Sequence, residues 1–503
     1  MLLNQFCFFK SLIKKQPGYM QLNKLFLRTL LYGASLFLFV VPGFAKEGYN
    51  IKVKVKGFAD TTCYLAYYYG SRILVSDTFN IDAKGVVQFK GNEKLPGGIY
   101  LAVFPGSKYF EMLVNTDNQE FALETDTADF VNSMKVTGSP DNKLFNDYQR
   151  YLGKKQKVIA ELKKQKDATQ NEDSIALIDE SIDAVEKDIK TYRETLTKEN
   201  PNAFLSAIIQ AMWEPEIPEI PKNEKGDPAD PQFAYKYFKS HYWDKYDFSD
   251  GRLVRTPIFN NKITYYLDNL TLKLPDSINV SADFIIDKAK ANPDAFRFAL
   301  SQITYNYETS KIMGMDAVFV HLAQKYYLTG FATWMDSTNM AKMTERVNRL
   351  KYNLVGLKAP ELLMPDLDNN NVSLHAIKSD FVVMVFWDYN CGHCKKEMPD
   401  FVALYEKYKD KGVTILGVCT RVELDEIKKF VVEYKLPWTN LWDPYNRTKF
   451  RDLYDIYSTP TIYVLDKDKK IIAKRLDPKQ VDEMLDNLIN KKQAPTMNVG
   501  DDR

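Results

Sequence analysis

The tetrapeptide Cys391-Gly392-His393-Cys394 follows an unbroken apolar run, Phe381-Val-Val-Met-Val-Phe-Trp387, with only Asp388-Tyr389-Asn390 between them. A run without a polar alternate does not suit a strand with one wet face. It fits a central strand covered by helices on both sides. A helical pattern then runs from about Cys391 to Lys409. The surrounding chain keeps alternating: a hairpin at about 361–365 and 371–374, strand 413–419, helix 423–435, a short strand near 438–442, strands 461–465 and 470–474, and helix 478–491. Residues 356–495 therefore predict an α/β domain with the two cysteines at a strand-to-helix turn. The tail beyond Gln493 is polar.

That position gives the cysteine pair its chemistry. Two cysteines three apart in the first turn of a helix close a disulfide without unwinding it. The leading sulfur faces unpaired backbone N–H groups and the positive helix end, which favour its thiolate. A thiolate attacks a disulfide, and the second cysteine resolves the mixed disulfide. Cys391 is thus the candidate nucleophile and Cys394 the candidate resolving thiol. His393 adds positive charge beside the sulfur when protonated. Two other readings exist for such a motif. A structural zinc site needs a second ligand pair, whereas Cys63 and Cys419 are isolated and His241, His321 and His375 have no ligand spacing, so no metal is expected. A purely structural disulfide is the other, though such bridges rarely sit at a strand-to-helix turn. Further on, Ser458-Thr459-Pro460-Thr461 precedes the apolar run Ile462–Leu465. A proline entering a strand is unusual; taken alone it reads as a simple loop proline, and the upstream Cys-x-x-Cys turns the reading to a cis peptide at Pro460.

These pieces together resemble the TlpA/ResA branch of the thioredoxin superfamily, the extracytoplasmic thiol–disulfide oxidoreductases. The matching residues are Gly356-Leu-Lys-Ala-Pro360, Phe386-Trp387, Cys391-x-x-Cys394-Lys-Lys-Glu397-Met-Pro399 and Thr459-Pro460-Thr461. The resemblance implies a thioredoxin fold over about 356–491, with Pro460 opposite the dithiol and the Thr459 backbone open to an extended substrate. It also implies that Glu397, one turn after Cys394, tunes the cysteine pair, for instance by carrying a proton to a partly buried thiol. Two departures stand out. Many relatives place Trp directly before the first cysteine, where this chain has Asn390. The inner dipeptide Gly-His matches protein disulfide isomerases, which leaves the direction of electron flow open. Peroxidase chemistry fits poorly, because Asp388 occupies the place where it uses Thr or Ser.

The remaining chain frames this domain. At 503 residues it has room for about three domains. Lys plus Arg (68) nearly equals Asp plus Glu (66), so no positive excess points to nucleic acid. Residues 1–45 hold Lys10, Lys14, Lys15, Lys24 and Arg28, no acidic residue, an apolar stretch from about Thr29 to Val41, and then Pro42-Gly-Phe-Ala45. That order predicts a secretory signal cleaved after Ala45, and hence a periplasmic or envelope location. The alternative, an uncleaved N-terminal anchor, would need about 20 apolar residues.

Residues 46–139 read as short alternating strands, beginning with Ile51, Val53 and Val55 between lysines. They predict an all-β, sandwich-like domain. Gly138-Ser139-Pro140-Asp141 marks a change to helical period, and residues 140–355 predict an α-helical domain interrupted by an extended, Pro-rich loop at 213–231. These two regions resemble uncharacterised domains fused ahead of thioredoxin modules in Gram-negative envelope proteins. The whole sequence predicts an exported thiol–disulfide oxidoreductase without a cofactor. It would reduce protein disulfides and draw electrons from a membrane-embedded thiol donor. Oxidase or isomerase activity, or a redox-sensing binding module, are the competing expectations.

Overall fold

The computed structural model of the chain describes residues 48–493; the targeting segment read over 1–45 lies outside the described residues. The chain divides into two compact units, one running to Thr264 and taking in Ala291–Ala295, the other formed by Tyr265–Lys290 and the chain from Phe296 onward.

The first unit opens with eight strands: β1 Tyr49–Lys56, β2 Thr61–Tyr69, β3 Arg72–Ile81, β4 Val86–Gly91, β5 Gly98–Phe104, β6 Lys108–Val114, β7 Glu120–Asp126 and β8 Lys135–Thr137. They form two four-stranded sheets, ordered β4-β1-β7-β8 and β3-β2-β5-β6. Alternation decides which side faces inward. Ile51, Val53 and Val55 are buried while Lys52, Lys54 and Lys56 are exposed. The inward residues of both sheets share one core containing Ile51, Val53, Leu65, Phe89, Tyr100 and Met112. The expected sandwich-like domain is therefore present. The sequence reading misses β8, which has three residues and no alternation to detect.

Ser139 caps the following helix, accepting a hydrogen bond from the Asn142 N–H at 3.2 Å, with Pro140 in the first turn. Helix α1 (Pro140–Asp167) pairs antiparallel with α2 (Glu172–Glu199), and Tyr151 stacks on Tyr192 with ring centroids 3.9 Å apart. Helices α3 (Phe204–Ala211), α4 (Phe233–His241) and α5 (Pro257–Asn269) follow, with the extended Pro-rich stretch between α3 and α4. The sequence gives no sign of α4, whose nine residues contain no fully buried side chain.

The second unit carries α6 (Pro275–Ala289), most of α7 (Pro293–Glu308), α8 (Asp316–Leu322) and α9 (Ser337–Leu350). Helix α8 is continued by a π-helical turn, Ala323–Tyr327. A hairpin of β9 (Leu363–Pro365) and β10 (Asn371–Ser373) leads into a five-stranded sheet ordered β13-β12-β11-β14-β15. Its centre is β11 (Phe381–Trp387), parallel to β12 (Val413–Cys419) and antiparallel to β14 (Thr461–Asp466). Strands β13 (Thr439–Leu441) and β15 (Ile471–Lys474) form the edges, and helices α10 (Gly392–Tyr408), α11 (Leu424–Glu433), α12 (Phe450–Leu453) and α13 (Pro478–Gln493) cover the faces.

The continuous apolar run now has its cause. Val383, Val385 and Trp387 enter one core with Met398, Phe401 and Phe430, while Val382, Met384 and Phe386 enter the opposite core with Leu362, Tyr454 and Tyr463. Both faces of β11 are dry, as a thioredoxin-type sheet requires.

Candidate active site

Strand β11 ends at Trp387, whose carbonyl accepts the Thr420 N–H from the end of neighbouring β12 at 2.8 Å. The chain then turns through Asp388. The Asp388 carbonyl accepts the Cys391 N–H at 3.0 Å, and its carboxylate accepts the Asn390 N–H at 2.8 Å and the Arg421 Nε–H at 2.7 Å. Beside it, the Tyr389 hydroxyl donates to Glu423 at 2.6 Å. The turn that presents the first cysteine is thus clamped by two residues from the loop after β12.

Cys391 is the N-cap of α10, and its sulfur accepts the Cys394 N–H at 3.4 Å. The same sulfur lies 3.1 Å from the Thr459 carbonyl oxygen, to which the thiol S–H donates. Thr459 and Pro460 are half-buried, and the peptide bond between them is cis, as expected from the sequence. The two thiols differ sharply. Partial burial pushes Cys391 up, but hydrogen bonds to its sulfur from the Thr459 side chain and from the N–H groups of Cys394 and His393 outweigh it and hold the thiol below its ordinary 9.0. Cys394 is 0% exposed, and burial pushes it up to about 12.

Residues 355–474 match the AhpC/TSA family, residues 165–353 a domain of unknown function (DUF5106) and residues 49–145 another (DUF4369). A thiol-disulfide oxidoreductase ResA of Bacillus cereus is 33% identical over 137 residues, which is 27% of this chain and 78% of that protein. This chain belongs to the ResA-like thiol–disulfide oxidoreductases. Among solved structures, the thioredoxin domain of a thiol-disulfide oxidoreductase from Bacteroides vulgatus is 32% identical, covering 27% of this chain and 98% of that one (TM-score 0.26). A thiol:disulfide interchange protein from Bacteroides sp. is 33% identical, covering 27% and 90% (TM-score 0.26).

Within this ResA-like domain the structure gathers Cys391, His393, Cys394 and Glu397 on the first turns of α10, and brings Thr459 to the sulfur of Cys391. Glu397 is half-buried. Burial, and then Asp477 and Asp400, push its carboxyl above its ordinary value, while His393 and Lys396 oppose them. Among the described residues no hydrogen bond links Glu397 to either sulfur. His393 is exposed. Cys63 and Cys419 are buried, and burial raises each to about 12, which makes them poor nucleophiles. The sequence reading misses the clamp of Arg421 on Asp388 and Glu423 on Tyr389. Its only signal is an acid three residues ahead of the first cysteine and a basic–acidic pair just past an apolar strand.

Proposed function

We propose that this enzyme acts outside the cytoplasm, reducing disulfides of envelope proteins. The thiolate of Cys391 attacks one sulfur of the substrate disulfide, forming a mixed disulfide and expelling the first substrate thiolate. Cys394 then gives up its proton and attacks the Cys391 sulfur, which expels the second substrate thiolate. The substrate gains two electrons and the enzyme is left as the Cys391–Cys394 disulfide, to be reduced again by a membrane-embedded thiol donor. The observation that carries this reading is the contrast between the two sulfurs: one accessible and held toward its thiolate, the other buried and held as a thiol.

Glu397 is assigned as the carrier of the Cys394 proton, since a carboxyl with a raised pKa exchanges protons closer to neutral pH. Thr459 and Pro460 are assigned to substrate docking beside Cys391. His393 tunes the potential through its charge, and it also supports a second reading, in which the same dithiol oxidises or isomerises disulfides. Export rests on the cationic, then apolar, leader ending at Ala45. The regions ahead of the dithiol domain are assigned to substrate selection, so deleting residues 46–350 is expected to change the preference among protein disulfides.

The test of the chemistry is trapping. A Cys394→Ser chain incubated with a protein disulfide accumulates a mixed disulfide at Cys391, and a Cys391→Ser chain loses turnover. Turnover retained without Cys391 would overturn the assignment.

A further inference from the structure

We propose that Arg346, on helix α9 and outside the segment matched by the AhpC/TSA family, is a positioning residue for the docking loop Asp455–Pro460. Through that loop it sets a Tyr457–Arg475 contact that receives polypeptide substrates. The inference rests on the reductase reading and deepens it.

The argument starts at Asp455, whose side chain is 1% exposed and sits at a turn with φ of 50°. A buried carboxylate is tolerated only when paired and hydrogen-bonded. Arg346 Nη1 donates to both of its oxygens, at 2.9 and 2.8 Å, and Arg475 also donates to its Oδ2. Arg475 does a second thing. Its Nη1 donates to the Tyr457 hydroxyl at 3.0 Å, and its guanidinium lies 4.8 Å from the centre of that ring. Its backbone N–H is fixed to the Ile462 carbonyl at 2.7 Å. Arg475 is therefore shared between a buried carboxylate and a surface ring, and Arg346 carries part of the charge that Arg475 would otherwise have to supply alone.

Tyr457 is 67% exposed, yet it is held in place by this cation. It lies two residues before Thr459, a span of at most about 7 Å, and the Thr459 carbonyl is 3.1 Å from the attacking sulfur. A large, immobilised, exposed ring beside a nucleophile is a contact surface for a polypeptide, because such a ring costs little further ordering when it is covered. On this proposal a small disulfide, which needs no extended contact, depends on that ring far less.

A second set of contacts fixes α9 independently. Asn353, just past the helix and fully buried, donates to the Leu453 carbonyl at 2.9 Å. Lys474 on β15 donates to the Asn353 carbonyl at 2.9 Å and to its side-chain oxygen at 3.0 Å, and also pairs with Asp316 of α8. The helices are thus anchored on both sides of the docking loop, and Arg346 meets Asp455 from a fixed support.

The test uses the full mature chain, with a polypeptide disulfide and a small disulfide as parallel substrates. Arg346→Gln is expected to raise KM for the polypeptide about tenfold with kcat nearly unchanged, the signature of lost binding, while turnover of the small disulfide shifts less than about twofold. Arg346→Lys, which keeps the charge, should recover most of the loss. Tyr457→Ala removes only an exposed ring and should raise the same KM. The double variant should be no worse than Tyr457→Ala, because both act through one contact. Equal losses on both substrates, no loss on either, or additive effects in the double variant would overturn the proposal. A wild-type chain that reduces neither substrate overturns the reductase reading first, and this inference with it.

Discussion

The sulfur of Cys391 lies 3.1 Å from the carbonyl oxygen of Thr459, although 68 residues separate them in the chain. Their meeting follows from the sheet. Helix α10 leaves the end of β11, and β14 begins beside that end, with Thr461 opposite Phe386 in the antiparallel register. Two neighbouring strands therefore deliver Cys391 and the Thr459–Pro460 turn to one end of the sheet. The sulfur also meets the N–H groups of the first helical turn, which favour its thiolate.

Selective alkylation should follow from this geometry. Cys391 is half-exposed and held below 9.0, whereas burial raises Cys63, Cys394 and Cys419 to about 12. Near neutral pH, a small alkylating reagent should modify the reduced chain first at Cys391, as read by peptide mass spectrometry. The thiolate fraction grows with pH, so the rate should rise with pH and reach half its maximum below pH 9.0. Labelling spread evenly over Cys63, Cys391, Cys394 and Cys419 would contradict the assignment.

Glu397 makes a prediction of opposite sign. Its carboxyl is raised in the folded chain, chiefly by burial, so the fold favours the protonated form. Between the unfolded value of 4.5 and the higher folded one, the native state binds more protons than the unfolded state, and stability falls as pH rises. Glu397→Gln should therefore stabilise the chain at neutral pH, with the gain vanishing below pH 4.5. Denaturant midpoints of the two chains across pH test this. The same variant should slow turnover of a protein disulfide if Glu397 carries the Cys394 proton.

Lys262 offers a stability test in the first unit. Its ammonium is nearly buried, 3.9 Å from the centre of the Tyr242 ring, and donates to the Trp213 carbonyl at 3.2 Å. Burial lowers its pKa from 10.5 to about 8, against the pull of Glu214. The unfolded chain binds more protons between those values, so stability relative to Lys262→Met should rise as pH climbs from about 8 to 10.5. A pH-independent difference between the two chains would contradict the burial argument.

Gly417 tests the packing behind the dithiol. A Cβ added there would collide with Asn440 Oδ1 and meet Trp438 Nε1 at 2.9 Å and Trp387 Nε1 at 3.0 Å. Trp387 is fully buried and stacks on Phe430 with centroids 4.8 Å apart, so little can give. Gly417→Ala should cost about 1–3 kcal/mol by overpacking, read from chemical denaturation. A neutral result would mean that this core is looser than its geometry.

How much of this the sequence could carry depends on how local the signal is. The dry strand β11 was legible because every one of its residues is apolar, and α10 because Cys391 through Lys409 keeps a helical period. The cis bond at Pro460 was legible only because a proline opening a strand lies downstream of a Cys-x-x-Cys; alone it would read as a loop proline. The four-residue helix α12 and the three-residue strand β8 were not, since neither is long enough to show a period. The clamp between Asp388 and Arg421 joins residues 33 apart, and the pair of Arg346 with Asp455 joins residues 109 apart. Nothing in either local sequence marks the partner. Such contacts arise from which strands and helices become neighbours, and they required the fold.

The reduction potential of the Cys391–Cys394 couple tests the central claim most directly. A disulfide reductase is expected near or below about −230 mV, in the range of thioredoxin and glutaredoxins. A value above about −180 mV, where disulfide isomerases and stronger oxidants lie, would contradict reduction and assign the same dithiol to oxidation or isomerisation.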